Sequence, residues 1–389
     1  MGLKSFIQGI FSVTNKKEYK IISILFFKFK FKRKLKTPTL VLIEPGGIGD
    51  YMFCRPFFKY IKLSPKFKNH KIILVTKDIY RDMSMCYDGM YFDKIVGYNT
   101  RNYKKIIKEL NNYNVCTLIN LRCVVFEEKQ DWYIRYNIAN GIRAKEKIIS
   151  ILNVKNEEFK KLGQFKIYNK IIFSNNALFE LERRREFFEN ILNIPIALES
   201  KEISQIYNVN KKHIAVSIMA IDKGRQYSLD KWITILNHII DNTSSDTEIL
   251  FLGIESEFKM IQKLIDNLKD NSRCTNIAGK IPISILPLVL EKCSFLLSVE
   301  TGTVHIAESV GCKTICLCNG SFYGRFQPYI NGLVKYVYPR EFLSFLEKNK
   351  NTSAMLDFYG FNPQFLTETI LESDVIKEIN LLLNDKENN

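Results

Sequence analysis

The sequence predicts an α/β protein made of two doubly wound domains that face a central cleft. The chain has 389 residues, more than one ordinary hydrophobic core accommodates. Short apolar runs alternate with helix-like stretches in two series, and a less regular region at 124–210 separates the series. Because open parallel sheets bind ligands at the carboxyl ends of their strands, two such domains would present two strand-end surfaces to each other.

The first series of predicted strands begins at residue 39. The apolar run 39–43 leads to Pro45, which predicts a buried strand that ends in a tight loop. A helix with Pro56 near its first turn should follow. Further strands are predicted at 71–75, 94–96 and 115–120, with a helix at 103–110. In the irregular region, a helix at 176–192 carries Arg183, Arg184 and Arg185, which are predicted to form a solvated face, with contact to an acceptor phosphate as the alternative.

The second series has predicted strands at 213–218, 248–253, 274–279, 295–299 and 314–318. Signals for strands resume at residue 213, so we predict a domain boundary between about 195 and 212. The predicted organisation is therefore an N-terminal segment 1–36, a first domain 37–205, a second domain 206–362 and a C-terminal segment 363–389 with a frayed end.

The charge of the chain is unevenly distributed. The net charge is +16, and residues 1–36 hold ten Lys or Arg against the single acid Glu18. Phe and Lys alternate over 26–32, a composition that suits an anionic membrane surface. A solubilising, frayed terminus is the alternative, because the strict alternation does not form one face of a helix. We expect no nucleic-acid partner, because no nucleic-acid-binding motif accompanies the charge.

The absence of targeting signals, the cysteine usage and the basic N-terminal segment predict a cytoplasmic protein that is peripheral to the inner membrane. No apolar run is long enough to span a bilayer, and the N-terminus lacks the pattern of a secretory signal. The nine cysteines are an odd number without paired spacing, which agrees with a reducing compartment. Cys312, Cys316 and Cys318 belong to an apolar run, which favours a buried strand over a metal site.

Three motifs follow predicted strands. The first is the loop with Gly46, Gly47 and Gly49, after which Asp50 would stand at the edge of the sheet. Glycines allow close approach of the backbone to a ligand, but a turn with a helix cap is the alternative. The spacing matches neither a dinucleotide fingerprint nor a Walker loop.

The second motif is 300–305, where a strand ends and a helix begins near Thr303. The free amides of that helix, together with the hydroxyls of Thr301 and Thr303, would suit a diphosphate, and His305 could add a donor or a positive charge. Alternatively, Thr303 is an N-cap and His305 a satisfied residue. The third motif places Lys223 and Arg225 after the strand 213–218, where a cation would neutralise donor phosphates. Alternatively, the segment is a surface loop with ordinary charges.

Taken together, the three motifs resemble glycosyltransferase family 9, the heptosyltransferases of lipopolysaccharide assembly. In that family the first strand leads to Gly-Asp with Pro six residues later, matched here by Asp50 and Pro56. A later strand leads to Asp-Thr-Gly-x-x-His, matched by 300–305, and an Ala-Gly pair and a Leu-rich helix precede it, as at 278–279 and 285–290. The resemblance covers about 213–330 and, in the first half, mainly 39–63.

Two positions depart from the family pattern. Glu300 stands where the family usually has Asp, and 225–228 reads Arg-Gln-Tyr-Ser where the family has Lys-Arg-Trp-Pro. Arg225 thus occupies the Lys position, and Lys223 lies two residues earlier. Arg and Lys bind phosphate differently, so either departure could mean a donor other than ADP-heptose.

The resemblance implies the GT-B fold, two Rossmann-like domains, with a C-terminal helix at about 363–383 that packs back on the first domain. It implies inverting transfer of a sugar, heptose from ADP-heptose in the family, from a nucleotide diphosphate donor to lipopolysaccharide or another lipid-linked saccharide. Asp50 would be the general base, and no metal or other cofactor would be obligatory. The implied donor-binding residues are Lys223 or Arg225, Glu300, Thr301, Gly302, Thr303 and His305. A nucleotide-sugar epimerase of similar fold and a non-catalytic saccharide- or nucleotide-binding relative remain alternatives.

Overall fold

The computed structural model describes residues 11–15, 19–24, 27–32, 36–124, 130–152, 165–175, 178–198, 213–349 and 365–384. These residues form one three-stranded sheet and two six-stranded sheets. The predicted domain boundary falls largely at 199–212, outside the described residues. No helix in the described ranges is long and apolar enough to cross a membrane.

The described residues of the N-terminal segment before residue 36 form an antiparallel sheet. Its strands are β1 (Phe11–Asn15), β2 (Tyr19–Ile24) and β3 (Phe27–Lys32). The alternation that does not suit a helix suits a strand, whose residues lie on opposite faces in turn. In the register, Phe29 is opposite Ile22 and Ile22 is opposite Val13, so these apolar positions share one face while the positions of Lys28 and Lys30 lie on the other.

The first large sheet is parallel and has the order β6-β5-β4-β7-β8-β9. Its strands are β4 (Pro38–Ile43), β5 (Lys71–Lys77), β6 (Lys94–Tyr98), β7 (Asn114–Val124), β8 (Glu146–Leu152) and β9 (Lys170–Ser174). The helices are α1 (Ile48–Cys54), α2 (Phe58–Leu63), α3 (Asp78–Asp88), α4 (Tyr103–Leu110), α5 (Gln130–Gly141) and α6 (Glu180–Leu192). The predicted strands and the helix 103–110 are confirmed, whereas β8 and β9 were not predicted.

Pro56 lies in a 3-10 turn, Arg55–Phe57, between α1 and α2. The expectation that it would occupy the first turn of the helix after the glycine loop is wrong, because that helix already begins at Ile48. Proline has no amide hydrogen to donate to the preceding turn, so the α-helical hydrogen bonding is interrupted there and α2 starts anew.

The second large sheet is also parallel and has the order β12-β11-β10-β13-β14-β15. Its strands are β10 (His213–Ser217), β11 (Glu248–Phe251), β12 (Cys274–Asn276), β13 (Cys293–Val299), β14 (Thr314–Leu317) and β15 (Val334–Val337). The helices are α7 (Leu229–Asp241), α8 (Phe258–Asp266), α9 (Leu286–Glu291), α10 (Gly302–Ser309), α11 (Arg340–Asn349) and α12 (Glu372–Asn384). Here β15 was not predicted.

The last helix, α12, packs on α7 and on β14 of the second sheet. The expectation that it would return to the first domain is therefore wrong for this helix. Val375 and Ile379 are fully buried in the same apolar cluster as Trp232 of α7. The Tyr227 hydroxyl also donates to the Ile370 carbonyl at 3.0 Å, which ties the approach to α12 to this domain. The apolar stripe of α12 thus covers the second sheet.

In both large sheets the strand order reverses beside the first strand of the domain. If the six strands of each sheet are numbered 1 to 6 along the chain, they lie in the order 3-2-1-4-5-6, which is the order of Rossmann domains. The switch points lie between β4 and β7 in the first sheet and between β10 and β13 in the second. Ligands of such sheets bind in the crevice outside these strand ends, and all three sequence motifs follow β4, β10 or β13.

Candidate active site

The glycine loop after β4 is held by a buried acid. Glu44 is fully buried, and its carboxylate accepts hydrogen bonds from the Gly46 amide at 2.9 Å and from the Tyr98 hydroxyl at 2.7 Å. Gly46 has a φ of +127°, and a Cβ at this position would lie 2.5 Å from Nη1 of Arg122. Glycine is therefore required at Gly46 both by backbone conformation and by space.

Asp50 lies in the first turn of α1, whose N-cap is Gly47. Its Oδ2 accepts a long hydrogen bond of 3.4 Å from the Gly47 amide. Two guanidinium groups also face the carboxylate, with Arg122 Nη1 3.9 Å from Oδ2 and Arg184 Nη2 3.7 Å from Oδ1. The side chain is 20% exposed. Asp50 thus acts as a helix cap while its carboxylate still reaches solvent.

The helix α6 carries two buried arginines beside this carboxylate. Arg183 and Arg184 are 1% exposed, whereas Arg185 is 39% exposed. The prediction of a solvated face is therefore wrong for Arg183 and Arg184. Glu180, one turn earlier in the helix, places an oxygen 2.6 Å from Arg184 Nη2 and compensates for the burial of these charges.

In the second domain, the turn between β13 and α10 brings Glu300 and Thr301 to the strand end. Thr301, rather than Thr303, is the N-cap, and its hydroxyl accepts a hydrogen bond from the Thr303 amide at 3.3 Å. Glu300 accepts a hydrogen bond of 3.2 Å from Gln327 Nε2. Burial raises the pKa of Glu300, while Arg225 and Gln327 oppose that rise.

Of the two candidate cations after β10, Arg225 lies closer to this turn. Its Nη1 is 4.0 Å from Glu300 Oε1, and its guanidinium stacks 4.6 Å above the ring of Phe322. Lys223 begins the same 3-10 turn, Lys223–Arg225, but its side chain is exposed. The stacking and the ion contact give Arg225 a fixed orientation at the strand end.

His305 is enclosed by aromatic rings from both domains. Its Nδ1 forms a hydrogen bond of 2.8 Å with the Tyr329 hydroxyl, and its ring lies 5.1 Å from that of Phe53 in α1. Burial lowers the pKa of His305 to about 4; Arg225 adds to the decrease and Asp50 opposes it. His305 is therefore neutral near pH 7, so it can donate or accept a hydrogen bond but does not supply the positive charge considered from the sequence.

The two strand-end surfaces touch at the glycines of their helix starts. A Cβ at Gly49 would lie 2.6 Å from Cδ2 of His305, and a Cβ at Gly302 would overlap Cγ2 of Ile48. Helices α1 and α10 are therefore in direct contact across the domains. The structure thus brings Gly49, Asp50, Gly302 and His305 together, with Arg225 and Glu300 beside them.

Three cysteines near this turn are part of the core. Cys312, Cys316 and Cys318 are fully buried free thiols in or beside β14, which confirms the interpretation as a strand. Across the described part of the chain, no group of three or more His, Cys, Asp or Glu side chains could hold a metal ion.

Sequence reasoning missed the arginines that face Asp50. Arg122 comes two residues after the predicted strand 115–120, which neighbours β4 at the switch point, so its place near a strand end was an available signal. Arg184 had a weaker signal, the spacing of four residues from Glu180 on one helix. Glu44, the last residue before the loop, could not be recognised as a buried acid from sequence.

Known proteins resemble the chain in sequence family and in fold. Residues 172–349 match the family model of glycosyltransferase family 9 (heptosyltransferase). A solved family 9 glycosyl transferase from Veillonella parvula is 14% identical, with a TM-score of 0.62, and the match covers 90% of this chain and 97% of that one. The E. coli ADP-heptose lipopolysaccharide heptosyltransferase II is 11% identical, with a TM-score of 0.60, and the match covers 90% and 99%.

A third solved structure, E. coli heptosyltransferase WaaC with ADP, is 12% identical, with a TM-score of 0.60, and the match covers 80% of this chain and 99% of that one. No curated protein sequence matches the chain. At these identities the solved structures establish the fold, which is the two-domain GT-B arrangement of Rossmann-like sheets. With the family match over residues 172–349, the chain is similar to glycosyltransferase family 9, and the matches support a glycosyltransferase.

Proposed function

We propose that the protein transfers a sugar with inversion from a nucleotide diphosphate donor to a lipid-linked saccharide. ADP-heptose and lipopolysaccharide are the first candidates, since two similar structures are described as heptosyltransferases, one of ADP-heptose and one with ADP. The observation that carries the proposal is the contact between the Asp50 loop and the turn that begins at Thr301, each at the switch point of its own sheet.

In the proposed reaction the acceptor hydroxyl oxygen attacks the anomeric carbon while Asp50 takes the hydroxyl proton. The bond between that carbon and the β-phosphate oxygen breaks, and its electron pair leaves with the nucleoside diphosphate. Arg225 and the amides at the start of α10 would stabilise the developing negative charge on the leaving group. These groups would serve in place of a metal ion. Arg122 and Arg184 would hold the Asp50 carboxylate in position.

A donor must be identified before the reaction is measured. Thermal-shift screening of the purified protein against ADP-, UDP-, GDP- and CMP-sugars would reveal a specific donor, because a ligand that binds the native state raises its stability by mass action. The match to the family model favours a transferase over the epimerase considered from the sequence. Binding of none of these sugars would overturn the proposal.

The first prediction concerns Asp50→Asn, which keeps the size and removes the basic carboxylate. We expect transfer to fall by roughly 10²–10⁴-fold while donor affinity stays near that of the wild type. Asp230→Asn is the matched control, because Asp230 is an exposed acid in the first turn of α7. Transfer at the wild-type rate by Asp50→Asn would rule out the proposed base.

The second prediction compares Arg225→Gln with Lys223→Gln. Arg225 is oriented at Glu300 and Phe322, whereas Lys223 is exposed two residues away. Loss of a hydrogen bond to a charged phosphate should weaken donor binding by about 1.5–3 kcal/mol in Arg225→Gln. We expect little change in Lys223→Gln. Titration calorimetry with the identified donor checks this, and the reverse order of effects would assign the contact to Lys223.

We also propose that residues 1–36 attach the protein to the anionic surface of the inner membrane from the cytoplasm. Support comes from the charge of this segment and from the shared face of apolar positions in β1, β2 and β3. Such attachment would place the active site near a lipid-linked acceptor.

A further inference from the structure

A buried ionic contact joins the two domains beside the candidate active site. Arg325, between β14 and β15, donates through Nε to Glu180 Oε2 at 3.0 Å. The Glu180 amide in turn donates to the Arg325 carbonyl at 2.7 Å. Both residues are buried, Glu180 at 0% and Arg325 at 7% exposure. Because Glu180 begins α6 of the first domain, this residue pair forms two hydrogen bonds across the domains.

The same carboxylate also contacts an arginine that faces Asp50. Glu180 Oε1 lies 2.6 Å from Arg184 Nη2, and that nitrogen is 3.7 Å from Asp50 Oδ1. Arg184 therefore lies between two carboxylates, one that binds the second domain and one that belongs to the glycine loop. A continuous series of opposite charges runs from Arg325 through Glu180 and Arg184 to Asp50.

Aromatic side chains from both domains pack beside this contact. Phe179 packs against Tyr329 with 5.6 Å between ring centroids, and Phe53 packs against Phe326 at 5.5 Å, each pair spanning the domains. Burial alone would raise the pKa of Glu180, but Arg184, Arg325 and Arg183 outweigh burial and lower it to about 2. The carboxylate thus remains charged at neutral pH. Its arginine partners offset the cost of burying that charge.

We propose that the Glu180–Arg325 pair is an interdomain latch that couples closure of the two domains to the placement of Arg184 against Asp50. Separation of the domains would remove one guanidinium from Glu180, which would then attract Arg184 more strongly and away from Asp50. A buried ion pair gains little net stability over hydrated ions, so such a latch can open. The consequence for catalysis rests on the proposed function, whereas the latch itself does not.

Amide hydrogen exchange of the full chain tests the latch through Arg325→Gln. Glu180 is the first residue of α6, so its amide has no acceptor within the helix, and its protection depends on the Arg325 carbonyl. Without the Arg325 charge, burial of Glu180 in the closed arrangement costs more, and the domains should separate more often. We expect the Glu180 amide to exchange roughly 10- to 100-fold faster, as for loss of a hydrogen bond to a charged group.

Two controls separate opening from unfolding. The Arg183 amide donates to the carbonyl of Phe179, the N-cap of α6, so its exchange should not change if the helix remains folded. Arg340→Gln removes an exposed pair with Asp374 inside the second domain and should leave Glu180 protected. Arg325→Lys retains the charge and should restore part of the protection.

Unchanged exchange at Glu180 in Arg325→Gln, or equal acceleration in Arg340→Gln, would overturn the latch. This outcome is independent of the proposed base. Normal transfer by Asp50→Asn would contradict the proposed catalytic role of Asp50 but would not affect the conclusion drawn from amide exchange.

Discussion

The carboxyl group of Glu308 lies inside the second domain with Asn331 Nδ2 2.6 Å from its Oε1. Glu308 is 3% exposed, and burial raises its pKa to about 7, with the Asn331 hydrogen bond opposing the rise. The folded protein therefore holds a proton that the unfolded chain releases near its ordinary pKa of 4.5. The contribution of Glu308 to stability therefore falls as the pH rises from about 4.5 to about 7, by about 1.4 kcal/mol per pH unit at most.

The third prediction is that Glu308→Gln removes this loss of stability. Gln keeps an oxygen for Asn331 and cannot ionise, so the variant should match the wild type near pH 4.5 and exceed its stability above pH 7, by on the order of 3 kcal/mol. His305, with its lowered pKa, makes stability rise with pH over part of this range, but it is common to both proteins and cancels in the difference. Denaturant unfolding at several pH values measures the difference.

Glu347→Gln is the control for Glu308→Gln, because Glu347 is exposed on α11. It should change stability little at any pH. A constant difference between Glu308→Gln and the wild type from pH 4.5 to 8 would show that Glu308 ionises freely in the folded protein.

Single residues at strand ends were predictable, whereas their partners were not. Asp50 and Thr301 follow strongly apolar strands, and each lies at the carboxyl edge of its own parallel sheet. Arg183 and Arg184 stand among acids in a sequence that also suits a solvated helix. Glu180, on the same helix, gives them a buried counter-charge. The contact of Arg184 with Asp50 and that of Glu180 with Arg325 join distant parts of the chain, so sequence spacing does not reveal them.

At the level of elements, the contact between α1 and α10 depends on two glycines. The fourth prediction is that Gly49→Ala destabilises this contact by about 1–3 kcal/mol, as for overpacking of a well-packed site. The reason is that a Cβ at Gly49 would lie 2.6 Å from the His305 ring. In a His305→Ala background the added methyl group has space, so most of the cost should disappear, and denaturant unfolding of the four proteins gives the coupling.

Gly89→Ala is the matched control for Gly49→Ala, since a Cβ at Gly89 would meet no atom within 4 Å. It should be neutral or slightly stabilising. An equal cost of Gly49→Ala with and without His305 would show that the contact between these helices is not the source of the effect.

The strands that sequence analysis missed have weak or ambiguous patterns. β9 and β15 are edge strands with half-exposed residues. The apolar run of β9 is only three residues long, and that of β15 is interrupted by Lys335. β8 is apolar, but it lies in the stretch where no regular alternation was evident. The course of α12 was inferred from the fold resemblance, whereas burial of Val375 and Ile379 against the second sheet determines its actual position. The other interior strands were predictable because both of their faces are buried.

At the scale of the whole molecule, catalysis and attachment would occupy different parts of the chain. The two Rossmann-like domains carry every residue proposed for donor or acceptor chemistry, and the three-stranded sheet carries none. Residues 1–36 hold most of the excess positive charge. Attachment to a membrane should therefore be separable from donor binding.

The fifth prediction is that deletion of residues 2–34 abolishes sedimentation with vesicles that contain phosphatidylglycerol and leaves donor binding unchanged. Each basic residue near an anionic surface contributes about 1 kcal/mol, and salt screens that attraction, so binding of the full chain should weaken at high salt. Vesicles of phosphatidylcholine alone should bind poorly. Salt-independent binding, or equal binding after the deletion, would rule out this role for the segment.

Two matched triple variants distinguish the contributions of the two faces of β3. Replacement of Phe27, Phe29 and Phe31 by Ser removes apolar positions of one face, and replacement of Lys28, Lys30 and Lys32 by Ser removes charges from the other. If the apolar face enters the lipid interface, the Phe variant should bind weakly at every salt concentration. The Lys variant should respond less to salt, because it lacks three of the ten basic residues whose attraction salt screens. Normal binding by the Phe variant would instead assign attachment to charge alone, with β3 lying above the lipid rather than in it.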